Sequence, residues 1–286
     1  MNGPRHRVEG ASRRAMAVLL VVLTAAIGAP ACEKLEEPEL DLENLYSYTP
    51  APLAVLLSAT WVNGRINYPV IARDYADYVD RFIELAADAG PRTSPQVYFD
   101  RRHRAAYYVN VHNGLILQTW IKNGATAGDT TLRFDPAWRE EQVHMIDGRL
   151  VSINDVADMA LAEDYPLIPF VLASGTISGP PIPETTLPAE TFERSLAEQV
   201  HVYFADARPI RRIAKPDGSG SAFIGPPILE QYADRFGDFE ALLDRFVPST
   251  YPHKVDLLRA THEGELRFSE ASDIIDLPGA TLSPNE

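Results

Sequence analysis

The longest helical pattern in this chain, residues 100–123, opens near Asp100, stops at Asn123-Gly124 and carries two asparagines on its apolar stripe. Asn110 and Asn113 are three apart and share a face with Ala106, Leu117 and Ile121. Asparagine is a poor helix-interior residue because its amide competes for backbone partners. Two buried amides each require a hydrogen-bond partner. Either the partner is the backbone of a neighbouring loop, which makes a structural network, or it is a bound ligand. Both alternatives stay open at this level.

Other elements follow from spacing. Residues 72–89 place Tyr75, Tyr78, Val79, Phe82, Ile83 and Ala86 at helical intervals, closed by Gly90-Pro91. Ser152-x-x-Asp155, ahead of Val156 and Met159, resembles a capping box with Asp in place of Glu. Residues 188–205 are amphipathic, with Pro188 suited to a first helical turn, and 226–247 predict one or two helices broken around Gly237. Strand candidates are short: 149–152, about 168–174, and 264–268. The predicted class is therefore α+β, a mainly helical single domain with a small sheet. Many of the 23 prolines cluster at 180–188, 209–227 and 248–252, as ordered loops and turn stops. No repeat is evident and no boundary follows residue 45, so the domain is expected over 46–268, with a C-terminal tail at 269–286.

The N-terminus predicts an address. Arg5, Arg7, Arg13 and Arg14 precede an apolar run over 15–27, then the small residues Ala29, Pro30 and Ala31, then Cys32. That order is a signal peptide over 1–31, with an apolar run short of the roughly 20 residues of a membrane span. Cys32, the chain's one cysteine, stands where bacterial lipoproteins carry their lipidated cysteine, although Ala29 replaces the usual Leu. Cleavage by ordinary signal peptidase is the alternative. An acidic tether spans 32–45, where six acids and one Lys in 33–43 self-repel and extend. Export to the cell envelope, with a membrane contact through a lipid anchor, is the expectation.

Charge and absent motifs narrow the function. The chain has 40 acidic and 26 basic residues, net −14. Without residues 1–31, which hold four Arg and one Glu, 22 bases face 39 acids, net −17. Such a surface repels phosphate backbones and shows no basic patch, which argues against a nucleic-acid partner. One cysteine excludes an intrachain disulfide and a multi-cysteine zinc site. No phosphate-cradling glycine loop, His-Glu-x-x-His or Gly-x-Ser-x-Gly occurs, and the seven histidines are scattered singly. No metal or cofactor is expected. The segment 217–221 is glycine- and serine-rich but lacks a following helix start with a Lys, so it predicts a plain loop rather than an anion nest.

The run Ala106-Tyr107-Tyr108-Val109-Asn110-Val111-His112-Asn113-Gly114 resembles the hallmark helix of the domain of unknown function 547 family, usually Ala-Phe/Tyr-Trp-Ile-Asn-x-Tyr-Asn-Ala. Other pieces follow in the family's order. They are Leu56-Leu57 with Gly64-Arg65-Ile66-Asn67-Tyr68, then Ser152-Ile153-Asn154-Asp155-Val156, then Phe170-Val171-Leu172 with Pro180-Pro181-Ile182, and finally the segment from Ile228 to Phe239. The resemblance covers roughly residues 50–260. Its departures are informative: the family's Glu falls on Ala157, its His on Pro169, and its two cysteines on Ser174 and Gly179.

A family with Cys, His and Glu in nearby segments would admit a thiol nucleophile with an imidazole base. This chain lacks those groups at the matching positions. The leading expectation is a non-catalytic binding or assembly module that meets an envelope protein or a small-molecule ligand. The alternative is a hydrolase-type enzyme with a rearranged site around Asn110, Asn113, Ser174 and Ser178. An enzyme would require a cleft where the 110–113 helix meets the 172–180 loop, with titratable residues inside.

Overall fold

The computed structural model describes residues 49–62, 64–125, 132–205, 210–215 and 221–269. The signal peptide, Cys32, the tether, the 217–220 part of the glycine-serine loop and the tail beyond Ser269 lie outside the described residues.

Helix α1 (Ala51–Thr60) leads into the antiparallel pair β1 (Trp61–Val62) and β2 (Arg65–Ile66). A short turn of helix, α2 (Tyr68–Val70), widens through a π-helical turn at Ile71–Tyr75 into α3 (Ala76–Asp88). Helix α4 (Arg101–Lys122) begins where Asp100 accepts the His103 backbone N–H at 3.0 Å. Every residue of α4 from Ala105 to Trp120 is buried. The sequence suggested one apolar stripe, but the helix is wrapped from all sides, with α3 and α6 (Ile153–Ala162) as its main neighbours. Gly114 is what lets α3 approach, because a Cβ there would collide with the Phe82 ring.

Before α6 come the four-residue helix α5 (Trp138–Glu141) and a hairpin of β3 (Val143–Ile146) and β4 (Arg149–Ser152). Its turn, Asp147-Gly148, has both residues at positive φ (50° and 66°), the conformation that an Asp-Gly pair accepts most readily. The turn docks on the end of α3: the backbone N–H groups of Asp147 and Gly148 donate to the carbonyls of Ala86 and Ala87, each at 2.8 Å. The Asp147 carboxylate accepts from the N–H groups of Arg92 (2.7 Å) and Thr93 (2.8 Å). At the start of α6 the capping box forms in full. Ser152 Oγ accepts from Asp155 N at 3.1 Å, and Asp155 Oδ2 accepts from Ser152 N at 2.7 Å.

The segment 168–174 is not a strand. It holds a 3-10 turn, Ile168–Val171, because Pro169 has no N–H for a ladder and no strand lies beside it. A second 3-10 turn, Ala189–Thr191, leads into α7 (Phe192–Ala205). Then come β5 (Arg211–Ala214), β6 (Ser221–Gly225), α8 (Pro227–Gln231), α9 (Ala233–Phe236), α10 (Phe239–Phe246), α11 (Lys254–His262) and β7 (Leu266–Phe268). The break at Gly237, at φ 66°, separates α9 from α10. Strand β6 pairs antiparallel with β5 and parallel with β7. Helices dominate and the sheets are small, so the class is mainly helical α+β.

Two apolar cores result. One surrounds α4; the other gathers α7, α8, α10, α11 and β6. The 3-10 turn is their seam: Ile168 and Val171 belong to the first core, while Phe170 reaches the second and stacks on Phe236 with ring centroids 4.9 Å apart.

Candidate functional site

The two asparagines of α4 are fully engaged with backbone. Asn110 Nδ2 donates to the Leu187 carbonyl at 3.0 Å, and its Oδ1 accepts the Leu187 N–H at 2.9 Å. Asn113 Nδ2 donates to the Val171 carbonyl, and its Oδ1 accepts the Ala173 N–H, both at 2.9 Å. Each amide thus acts as a short piece of partner strand for a segment with none. Asn113 meets the segment just before Ser174, and Asn110 reaches Leu187, beyond the 172–180 loop.

Beside this anchored segment opens a cleft of about 330 Å³. Its walls come from five stretches of chain: His112 on α4, Phe134 and Arg139 around α5, Asn154 and Ala157 on α6, the 169–180 segment, and Ile228, Gln231 and Tyr232 at α8. Ser174 and Ser178 line it; Asn110 and Asn113 do not.

The 174–180 loop is held by its own bonds. Ser174 N donates to the Pro180 carbonyl at 3.1 Å, and Ser174 Oγ accepts from Thr176 N at 3.0 Å while lying 2.9 Å from Thr176 Oγ1. Gly175, at φ 70°, lies so close to the Trp120 indole nitrogen that a Cβ has no room. The Ser174 hydroxyl is therefore turned toward Thr176, with no bond to an imidazole.

His112 is 1% exposed. Its Nδ1 lies 3.1 Å from Asn113 Oδ1, an oxygen that already accepts from Ala173, so Nδ1 is the protonated nitrogen and Nε2 carries the lone pair. Burial pushes the imidazole down to about 3, the Arg139 charge adds to the shift, and the bond to Asn113 opposes it. The ring stays neutral at physiological pH.

Among the described residues Arg139 is the cleft's one charged side chain. Its guanidinium carbon sits 4.9 Å from the Phe134 ring centroid, and among the described residues no carboxylate pairs with it. Burial lowers its pKa, and the nearby Tyr232 hydroxyl partly opposes this. Tyr232 in turn is raised, chiefly by burial, with Arg139 acting against it. Among the described residues no Asp or Glu lines the cleft.

Two other hollows carry carboxylates beside their cations. The one beside α7 and α10 is lined by Glu193 and Asp238, and its Arg101 lies 3.9 Å from the Asp164 carboxylate. The one beside β5 and β7 is edged by the Lys215–Glu265 ion pair at 3.0 Å. Among the described residues no group of three or more His, Cys, Asp or Glu could hold a metal ion, and no helix is long and apolar enough to cross a membrane.

The sequence gives no sign of Arg139, and Asn154, Gln231 and Tyr232 lie in family-like segments with nothing that marks them as site residues. Arg139 sits in an ordinary Trp-Arg-Glu-Glu run, and only the packing of distant segments turns it into the cleft. Comparison with models of known families, with curated proteins and with solved structures finds no match to this chain.

Proposed function

We propose that this protein binds a small molecule in the cleft beside α4, without chemistry, and does so at the cell envelope as an exported, lipid-anchored module. One observation carries the binding reading. The cleft joins apolar walls to a single guanidinium and several neutral polar groups, which is the make-up of a recognition site. The family resemblance supports the same place. Ala157, Pro169, Ser174 and Gly179, where the Glu, His and two Cys of the domain of unknown function 547 family fall, all line this one cleft.

The hydrolase reading has one observation in its favour: His112, Ser174 and Ser178 share the cleft. The bond from the Ser174 hydroxyl to Thr176, rather than to His112, weighs against it.

Native mass spectrometry of the protein from its own cells, compared with an Ala157→Phe variant that fills the cleft, tests the binding reading. A small molecule retained by wild type and lost from the folded variant is expected; equal retention by both removes the cleft as the site. Hydrolysis of aryl esters or amides that disappears in Ser174→Ala or Ser178→Ala would replace the binding reading with the enzymatic one. For the envelope reading, Cys32→Ala should move the protein from the membrane to the soluble fraction. Unchanged membrane retention would end the lipid-anchor part.

A further inference from the structure

We propose that the cleft selects a small monocarboxylic acid with an apolar body, its carboxylate held by Arg139. The inference rests on the cleft being the binding site and adds the chemical class of the ligand. A guanidinium out of bulk water and without a carboxylate is costly to keep charged. In a chain with 40 acidic residues, a counter-charge from a neighbouring element would be easy to supply, yet among the described residues none lines this hollow. A half-buried cation with no acid among the described residues around it is suited to an anion that arrives from solution. The lowered pKa of Arg139, caused by burial, agrees with a charge that lacks its complement.

The class of anion follows from charge and shape. One guanidinium balances one negative charge, and its planar fork matches the two oxygens of a carboxylate. A phosphate monoester brings between one and two charges at neutral pH. Among the described residues the second would find no further cation, only neutral groups: His112, the amides of Asn154 and Gln231, and the hydroxyls of Ser174, Thr176, Ser178 and Tyr232. Phe134, Leu172, Pro227 and Ile228 offer the rest of the ligand an apolar surface. A volume of about 330 Å³ limits that body to a short chain or a single ring.

The test uses the full chain with hexanoate, phenylacetate and 3-phenylpropanoate, their neutral amides, and phenyl phosphate, each titrated by calorimetry. The acids should bind saturably, at least about tenfold tighter than their amides, a factor worth ~1.4 kcal/mol. Arg139→Gln should erase that preference, whereas Arg139→Lys, which keeps the charge but not the fork, should retain it in weaker form. The Lys variant also covers the case in which the Gln variant fails to fold. Amides that bind as well as acids, with binding lost in Ala157→Phe, would leave the cleft as the site and overturn the carboxylate assignment. Tighter binding of phenyl phosphate would overturn it too, as would an acid preference surviving in Arg139→Gln. Acid binding that persists in Ala157→Phe, or no binding by any acid, would remove both the site and the assignment.

Discussion

The two sides of the cleft treat polar groups in opposite ways. On the α4 side, Asn110 and Asn113 each make two hydrogen bonds to backbone, so that buried donors and acceptors of Val171, Ala173 and Leu187 are answered. On the α5 side, Arg139 has a ring face and, among the described residues, no carboxylate. The amides are buried and the guanidinium half-buried, yet the first are satisfied within the fold and the second is not. Polar burial by itself therefore says little about function; the distinction lies in whether the fold supplies the partner. Substitutions on the α4 side should cost stability, and those on the α5 side should cost binding.

The largest expected effect breaks the satisfied side. Asn113→Ala strands the Val171 carbonyl and the Ala173 N–H, and should destabilise by about 1–3 kcal/mol for each stranded group. Asn110→Ala does the same at Leu187. Denaturant unfolding of both variants measures this, and a cost below about 0.5 kcal/mol for either would mean that its bonds are not what holds the segment.

Next comes acid. The His112 imidazole titrates at 6.5 when unfolded and near 3 in the fold, so below pH 6.5 the unfolded chain takes up a proton that the native one refuses. Its contribution is fully present above about pH 6.5 and is lost as pH falls, at about 1.4 kcal/mol per unit, or roughly 2 kcal/mol by pH 5. Unfolding across pH 7 to 5 should show this slope in wild type and a shallower one in His112→Asn. Identical slopes would show that the ring is not held neutral.

A smaller effect, about 1 kcal/mol, is expected of Ser174→Ala, which removes the hydroxyl bonded to Thr176 and loosens the loop. Thermal unfolding of that variant measures it.

The smallest effect is on the open side. Arg139→Gln removes a cation–ring contact of about 0.5–1 kcal/mol and also a desolvated charge, so its stability should lie within about 1 kcal/mol of wild type. A loss comparable to that of Asn113→Ala would show that Arg139 is structural after all and erase the contrast.

How much of this was legible in sequence depends on the range of the interaction. The capping box at Ser152 and Asp155, the extent of α4, the break at Gly237, and the strands 149–152 and 266–268 are local, set by backbone chemistry within a few residues. The 168–174 segment misled because an apolar run suggests a strand until one asks what would pair with it. Pro169 was the local warning. The β3–β4 hairpin carried its own mark in Asp147-Gly148 that was readable and passed over. In the cleft, Ser174 and Ser178 were reachable through the alignment with a known family pattern, and Tyr232 lay unremarked in its closing segment, whereas Arg139 had no signal at all.

The sequence by itself determined the helical segments, the two asparagines that needed partners, and the loss of thiol, imidazole and carboxylate at four aligned positions, because these depend only on residue type and spacing. Tertiary structure alone decided which backbone answers each amide, that those four positions share one cleft, and that a guanidinium 26 residues beyond Asn113 stands in it without a counter-charge among the described residues. The physical reason is that desolvation and hydrogen-bond satisfaction depend on every group within a few ångströms, and those groups arrive here from five separate stretches of the chain.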